Sequence, residues 1–227
     1  MKIKFGSIVS DGRGKIGGHV MSKNRAGSYL RTKVTPVNPN TAAQVIARNA
    51  LGSLSIAWRG LTAAQRLLWN SAVASFASTD IFGDIRNPTG QNLYIRLNAN
   101  LLNAGQVAIS VPPLPVAVVS VTTLTPTQAA GGATSIAYAP TPVPAGHSVV
   151  IEAAAPVSPG VSFVKSEFRK IGVVAAAAVT PYVATAAYAA KFGGPGLAGQ
   201  KVFFRAKLVN NTTGQTGLPT QASCIVT

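Results

Sequence analysis

Residues 202–209 read Val-Phe-Phe-Arg-Ala-Lys-Leu-Val, and their alternation decides the fold of the chain's second half. In an extended backbone successive side chains point to opposite faces, so Val202, Phe204, Ala206 and Leu208 share one side and Phe203, Arg205, Lys207 and Val209 the other. Apolar residues on one side and cations among those on the other predict a half-buried strand. The same period of two recurs at Ile136 and Tyr138 and at Val149 and Ile151. Between these runs stand Pro144-Ala145-Gly146, Ser158-Pro159-Gly160, Gly193-Gly194-Pro195-Gly196 and Gly214-Gln215-Thr216-Gly217, each with turn chemistry. Their spacing predicts about seven strands in a β-sandwich over residues 111–227.

Upstream the period changes. Val111-Pro112-Pro113-Leu114-Pro115 predicts a stiff extended linker, because proline fixes its own φ and pushes the preceding residue away from helix. Before it, Thr41-Ala42-Ala43-Gln44 and Thr62-Ala63-Ala64-Gln65 carry the spacing of a helix capping box. The first predicts a helix over about 41–59, with Ile46, Ala50, Leu54, Ala57 and Trp58 on one face and Gly60 ending it. The second predicts a helix to about Phe76, with Leu68, Ala72 and Phe76 in a stripe beside Trp69 and Val73. A third helix is expected after Pro88-Thr89-Gly90, carrying Leu93, Leu97 and Leu101. Trp58 and Trp69 fit an apolar helix face and read as core anchors.

Residues 1–37 differ from both. They alternate weakly (Ile3, Phe5, Ile8, then His19, Met21 and Tyr29) and are rich in glycine, which favours strands and turns. Asp11-Gly12-Arg13-Gly14 predicts the turn of a β-hairpin. The expectation is therefore an α+β multidomain chain: an extended basic arm over 1–37, a small three-helix segment over 38–110 and a β-sandwich over 111–227.

Charge points to a partner. Among 227 residues, 20 Lys and Arg stand against 5 Asp and Glu, a net +15, although only 11% of residues are charged. Such a chain repels itself and seeks a polyanion or an acidic surface. In residues 1–37, Lys2, Lys4, Arg13, Lys15, Lys23, Arg25, Arg31 and Lys33 face Asp11 alone. Arg13, Lys15, Lys23, Arg25, Arg31 and Lys33 sit among glycines and small residues, which lets a backbone lie against another surface while cations meet carboxylates or phosphates. They are the candidate partner-binding residues.

The inventory for catalysis is poor. Cys224 is the only cysteine, so no internal disulfide and no cysteine-based zinc site can form. His19 and His147 fall in different segments. Asp80 and Asp84 flank Phe82-Gly83 as loop residues, and no carboxylate pair stands out among the five acids. Gly12, Gly14 and Gly17 spell GxGxxG, but no helical period follows and no acid stands about twenty residues on to hold a ribose. Ser162 and Lys165 match an SxxK spacing in a β-rich region without companion motifs. A helix-turn-helix reader of DNA is disfavoured because the second helix carries Arg66 as its only cation. No catalytic, cofactor or metal residues are named, no small-molecule substrate is expected, and the chain reads as a non-enzyme. The start lacks the apolar run of a signal peptide. Val173–Val179, the longest apolar run, is too short to span a bilayer, so no membrane partner is expected.

Two resemblances add to this reading. The ending KVFFRAKLVNNTTGQTGLPTQASCIVT resembles the last two strands of fibronectin type III and related immunoglobulin-like domains; the likeness is one of pattern, covers roughly 112–227 and lacks the usual core tryptophan. It implies a module that binds or spaces. GKIGGHVMSKNRAGSYLRTKVTPVNPNTAAQ followed by AWRGLTAAQRLLWN is similar to the opening of a family of phage and prophage proteins, over roughly residues 5–70. That implies a virion component made in the host bacterial cytoplasm: a capsid decoration or cement protein in many copies on the major capsid protein, or else a neck, tail or fibre-anchor part. A packaging protein that binds nucleic acid through the same arm is the expectation from another class.

Overall fold

The computed structural model of the chain describes residues 1–4, 6, 11–35, 37–38 and 40–227. Within them the protein is α+β, with four α-helices and several antiparallel sheets. It forms two compact units, Met1–Asn49 with Ala77–Arg86, and Ala50–Phe76 with Asn87–Thr227.

In the first unit β1 (Lys2–Ile3), β2 (Gly14–Ile16), β3 (His19–Asn24) and β4 (Gly27–Thr32) make one antiparallel sheet in the order β1-β4-β3-β2. Of the hairpin expected around Asp11-Gly12-Arg13-Gly14, the run that precedes the turn lies outside the described residues; beyond Gly14 the chain reverses direction twice. It does so at Gly17-Gly18 and at Arg25-Ala26, giving two successive hairpins. The reason is local: Gly17 adopts φ +54° and Gly27 φ +104°, where a Cβ is disfavoured, and the Asn24 Oδ1 accepts the Ala26 N–H at 2.9 Å. The amino terminus is added at the far edge, where the Met1 amine donates to the Leu30 carbonyl at 2.9 Å and the Leu30 N–H to the Met1 carbonyl at 2.7 Å. A two-stranded hairpin, β5 (Ser78–Thr79) with β6 (Ile85–Arg86), belongs to the same unit. The boundary between the units falls inside α1 (Ala42–Gly60).

The second unit has two cores. In the helical one, Leu54 of α1, Trp69 of α2 (Ala63–Ala72) and Leu93, Tyr94 and Leu97 of α3 (Gly90–Asn103) are buried together, with Trp58 partly covered. Trp58 and Trp69 pack on the Tyr94 ring at centroid distances of 5.5 and 5.3 Å, and the Trp69 Nε1–H donates to the Ser110 carbonyl at 2.8 Å. Thr62 and Gln65 close a reciprocal capping box at the start of α2. The inward stripe is Trp69 and Ala72 of α2 with Val73 and Phe76 of the 3₁₀ turn that follows it (Val73–Phe76), while Leu68, expected inward, is exposed. Of the stripe expected on α1 only Leu54 is buried and Trp58 half-buried; Ile46, Ala50 and Ala57 are exposed.

The larger core lies between two antiparallel sheets. One is β10 (Arg169–Val174), β9 (His147–Ala153), β12 (Lys201–Asn210) and β13 (Thr220–Ile225) in the order β10-β9-β12-β13; the other is β7 (Thr123–Gln128), β8 (Thr134–Ala139) and β11 (Tyr182–Val183) in the order β11-β8-β7. Val202, Phe204, Ala206 and Leu208 of β12 enter this core with Ile136, Tyr138, Val149 and Ile151, and α4 (Thr185–Phe192) contributes Tyr188. Each large side chain taken out of water here stabilises the fold by about 1.5–3 kcal/mol. The opposite face of β12 is less open than its alternation implies. Phe203 is buried by Ala154 and Val164 of the long β9–β10 connection, and Val209 by Ala104 just past α3, so Arg205 and Lys207 are the half-open positions between them.

Residues 111–115 lead into an extended strip tied to the β12–β13 loop. Gln215 donates its Nε2–H to the Leu114 carbonyl (2.7 Å) and accepts the Val116 N–H (2.8 Å), and the Ser120 hydroxyl accepts the Leu218 N–H (3.1 Å). The Asn100 side chain of α3 donates to the Gly214 carbonyl at 2.9 Å, and a Cβ on Gly214, at φ +69°, would collide with the Leu97 carbonyl. Helices and sheets are thereby fastened into one compact unit.

Candidate polyanion-binding face

The distribution of carboxylates decides which leader cations are available. The first unit holds ten basic side chains, Arg48 and Arg86 beside the eight of the leader, and three acids, Asp11, Asp80 and Asp84. All three acids are engaged.

Asp80 is the centre of this network. Its side chain is 1% exposed, and it sits at the start of the β5–β6 turn. Its Oδ1 accepts the Phe82 and Asp84 N–H groups at 2.8 and 3.1 Å; its Oδ2 accepts Arg86 Nε at 3.2 Å and a second guanidinium nitrogen at 3.1 Å, with the Lys2 ammonium 3.7 Å away. Burial by itself pushes this carboxyl up. The two backbone N–H groups, the Arg86 guanidinium and the Lys2 ammonium outweigh it and lower the pKa from 3.8 to about 2. Asp84 pairs with Lys4 at 3.0 Å and Arg86 at 3.5 Å, and Lys4 also lies over the Phe82 ring. The Arg86 guanidinium packs against the Gly27 turn, where a Cβ would stand 3.3 Å from it. The two acids that the sequence presents as plain loop residues are thus what hold Lys2, Lys4 and the β3–β4 turn. Their only sequence signal is that two of the chain's five acids stand in one short turn, beside Arg86.

Asp11 lies 3.8 Å from Arg13 and 3.7 Å from Lys23, and all three are exposed. Such surface pairs contribute roughly 0–1 kcal/mol. Among the described residues of the first unit, which include all three of its acids, Lys15, Arg25, Arg31 and Lys33 have no carboxylate within pairing distance, and Lys15, Arg31 and Lys33 are exposed with Arg25 at a hairpin tip.

Register places them. Directly opposed residues of neighbouring strands share a face, so Lys15 of β2, Val20 of β3 and Arg31 of β4 form one row, and Ser22, Tyr29 and Lys2 the next. The other face carries Ile16, His19 and Thr32, then Met21 and Leu30, then Lys23, Ser28 and Ile3. Lys15 and Arg31 therefore stand on one face two strands apart, about 10 Å. At that distance their mutual repulsion in water is only about 0.4 kcal/mol, and an anion between them meets both. Arg25 is at the tip of the β3–β4 hairpin, and Lys33 follows β4, its N–H donating to the Gly18 carbonyl at 2.8 Å. Of the six candidates the fold brings Lys15 and Arg31 together, sets Lys23 on the opposite face, and leaves Arg13, Arg25 and Lys33 outside the strands.

The other sequence motifs fall in ordinary places. Gly14 opens β2 and Gly17 lies in a hairpin, so the GxGxxG string begins no helix; Ser162 and Lys165 lie in the β9–β10 connection, outside any helix. His147 Nδ1 lies 2.9 Å from the Ala145 carbonyl, and His19 is exposed on β3. No described helix is long and apolar enough to cross a membrane.

No protein-family model, curated protein or solved structure matches this chain.

Proposed function

We propose that the chain is a non-catalytic structural protein of a bacteriophage virion, most simply a capsid decoration or cement protein, which docks on an acidic protein surface through its basic leader sheet. The carrying observation is the sorting of charge just described: every acid of the first unit is taken up within it, and Lys15, Arg25, Arg31 and Lys33 remain without one. A partner that supplies carboxylates completes these side chains with charge-assisted hydrogen bonds. The likeness of roughly residues 5–70 to phage and prophage proteins supports a capsid lattice as the partner, with a neck or tail surface as the neighbouring choice. On this reading the protein works in the assembled virion and in many copies.

The two-sheet body is assigned to the fibronectin type III and immunoglobulin-like class, as a spacer or binding module. What supports the class is strand order: β7, β8 and β11 in one sheet, β9, β10, β12 and β13 in the other, with the chain passing between sheets after β8, β10 and β11.

The test uses the full chain and its Lys15→Ala/Arg25→Ala/Arg31→Ala/Lys33→Ala variant, offered to capsids of the encoding phage and to free duplex DNA. The expected result is saturable capsid binding that the variant loses by tenfold or more. Undiminished capsid binding by the variant overturns the assignment. Tight binding to free DNA with affinity falling steeply as salt rises replaces it with a packaging role, because each phosphate that a cation neutralises steepens the fall of log affinity with log salt by about 0.9.

A further inference from the structure

Charge in the second unit is even more one-sided than in the first. Ten basic side chains stand there against Glu152 and Glu167, and seven of the ten fall in the stretch from Lys165 to Lys207. Glu152 is engaged, its Oε2 accepting the Arg205 Nε–H at 2.7 Å. Lys165, Arg169 and Lys191 are exposed and have no carboxylate of that unit within pairing distance.

The fold sets these cations among phenyl rings. Phe168 stands just before β10, Arg169 opens that strand, and Phe192 ends α4, which packs against β10. The Arg169 guanidinium lies over the Phe192 ring, 5.8 Å from its centroid, and the Arg205 guanidinium over the Phe168 ring at 4.5 Å. Phe168 also packs in the cluster of Phe203, whose ring carries the Lys201 ammonium at 5.3 Å. Ala155, Ser166, Glu167, Phe168, Arg169 and Phe192 line a cleft of about 450 Å³. Both of its phenyl rings are half-buried, so each keeps part of its surface open.

The contents of the cleft select its occupant. Phenyl surfaces beside unpaired cations suit a ligand that is planar and anionic at once. An acidic protein segment would use the cations alone, leave the rings idle and meet the Glu167 carboxylate, which repels it. A duplex offers phosphates but keeps its base faces inside its own stack. An unpaired nucleotide engages every group: its base lies against the rings and the guanidinium plane, an exocyclic amine donates to Glu167, and its phosphate meets Arg169. The geometry points to a binding site for single-stranded nucleic acid, one unpaired base to the cleft. Lys165 and Lys191, each next in sequence to a lining residue, serve the neighbouring phosphates. The site is built wholly from residues of the second unit and does not rest on the role given to the leader.

Fluorescence anisotropy on the full chain at physiological salt tests it, with a short labelled oligonucleotide offered single-stranded and as its duplex. Wild type is expected to prefer the single strand. The Lys15→Ala/Arg25→Ala/Arg31→Ala/Lys33→Ala variant keeps that preference. Phe192→Leu, which retains an apolar side chain against Tyr188, and Arg169→Ala, at an exposed position, each weaken single-strand binding by about fivefold or more, the lower end of what one stacked base contributes. Phe192→Leu leaves duplex binding unchanged. Urea midpoints report that the body is folded in both variants. Equal affinity of wild type for the two forms overturns the inference, as does a single-strand preference untouched by either substitution. Loss with Arg169→Ala but not with Phe192→Leu overturns the stacking and leaves a simple anion contact. Loss of the preference in the leader variant moves the nucleic-acid site to the leader. Tighter binding of polygalacturonate than of the oligonucleotide, weakened by the same two substitutions, replaces nucleic acid with a carboxylated polysaccharide.

Discussion

The leader sheet and the two-sheet body are both antiparallel β-structure, yet they are held by different forces. Around the body's core seventeen buried side chains form a single cluster, among them Phe204, Tyr188, Ile136 and Leu208. In the leader's unit no described apolar residue is fully buried; Met21, Tyr29 and Leu30 are only half-covered. What it has instead is Asp80, with two backbone N–H groups, a guanidinium and an ammonium converging on one carboxylate. The body's stability comes from burial, which is indifferent to pH and strengthened by salting-out conditions. The leader's rests far more on charges, which respond to both.

The largest effect expected is in the body. Phe204→Ala removes a wholly buried ring from β12 and leaves a cavity between the sheets. Such truncations cost about 3–5 kcal/mol. Urea unfolding should show the midpoint of the body falling accordingly. A loss below about 1 kcal/mol would mean that the two sheets do not enclose a close-packed core, and the contrast with the leader would fail.

Asp80 probes the other side of the contrast. Its folded pKa is depressed, from 3.8 to about 2, so its contribution is fully present above the unfolded value and is lost as the pH falls from there towards about 2. Hydrogen exchange of the Met1–Leu30 and β3–β4 amides should accelerate across that window, while the amides of β9 and β12 stay protected. Asp80→Asn should bring the same loosening at neutral pH and abolish the acid step. If body and leader amides open together through the acid range, the leader is not separately held by charge.

How much of this is legible in the sequence follows from the range of the forces involved. The inner half of β12 is legible because alternation is a local property, and so is Leu93-Leu97-Leu101 on α3, of which all three are buried. Burial of Phe203 and Val209 on the outer half is not, because their cover comes from residues about 40 and 105 positions earlier in the chain. On α1 the spacing of Ile46, Ala50 and Leu54 predicts one inward face, and only its C-terminal end meets a core. For the basic leader the cations are plain, but their grouping is not. A register shift of one residue would exchange Lys23 for Lys15 and Arg31 on a given face, and nothing in the sequence fixes that register before the glycine turns are known. The role of Asp80 is hidden because its partner Lys2 lies 78 residues away.

The smallest expected effect sharpens the comparison at the point where the body depends on a local polar contact. Thr62 starts α2: its hydroxyl accepts the Gln65 N–H at 3.2 Å, and the Gln65 Oε1 accepts the Thr62 N–H at 2.9 Å. Two N–H groups that no helix turn can satisfy are thereby paired. Thr62→Ala removes one acceptor and leaves the other, at a cost of about 1 kcal/mol. Because Trp69 is buried in the core about two turns further on, the loss should appear in tryptophan-monitored unfolding of the body as a lower midpoint with unchanged slope. It should leave leader exchange and polyanion binding as they were. A matching loss in the leader would show that the start of α2 supports both units, and that charge and burial are not divided between them as the residues suggest.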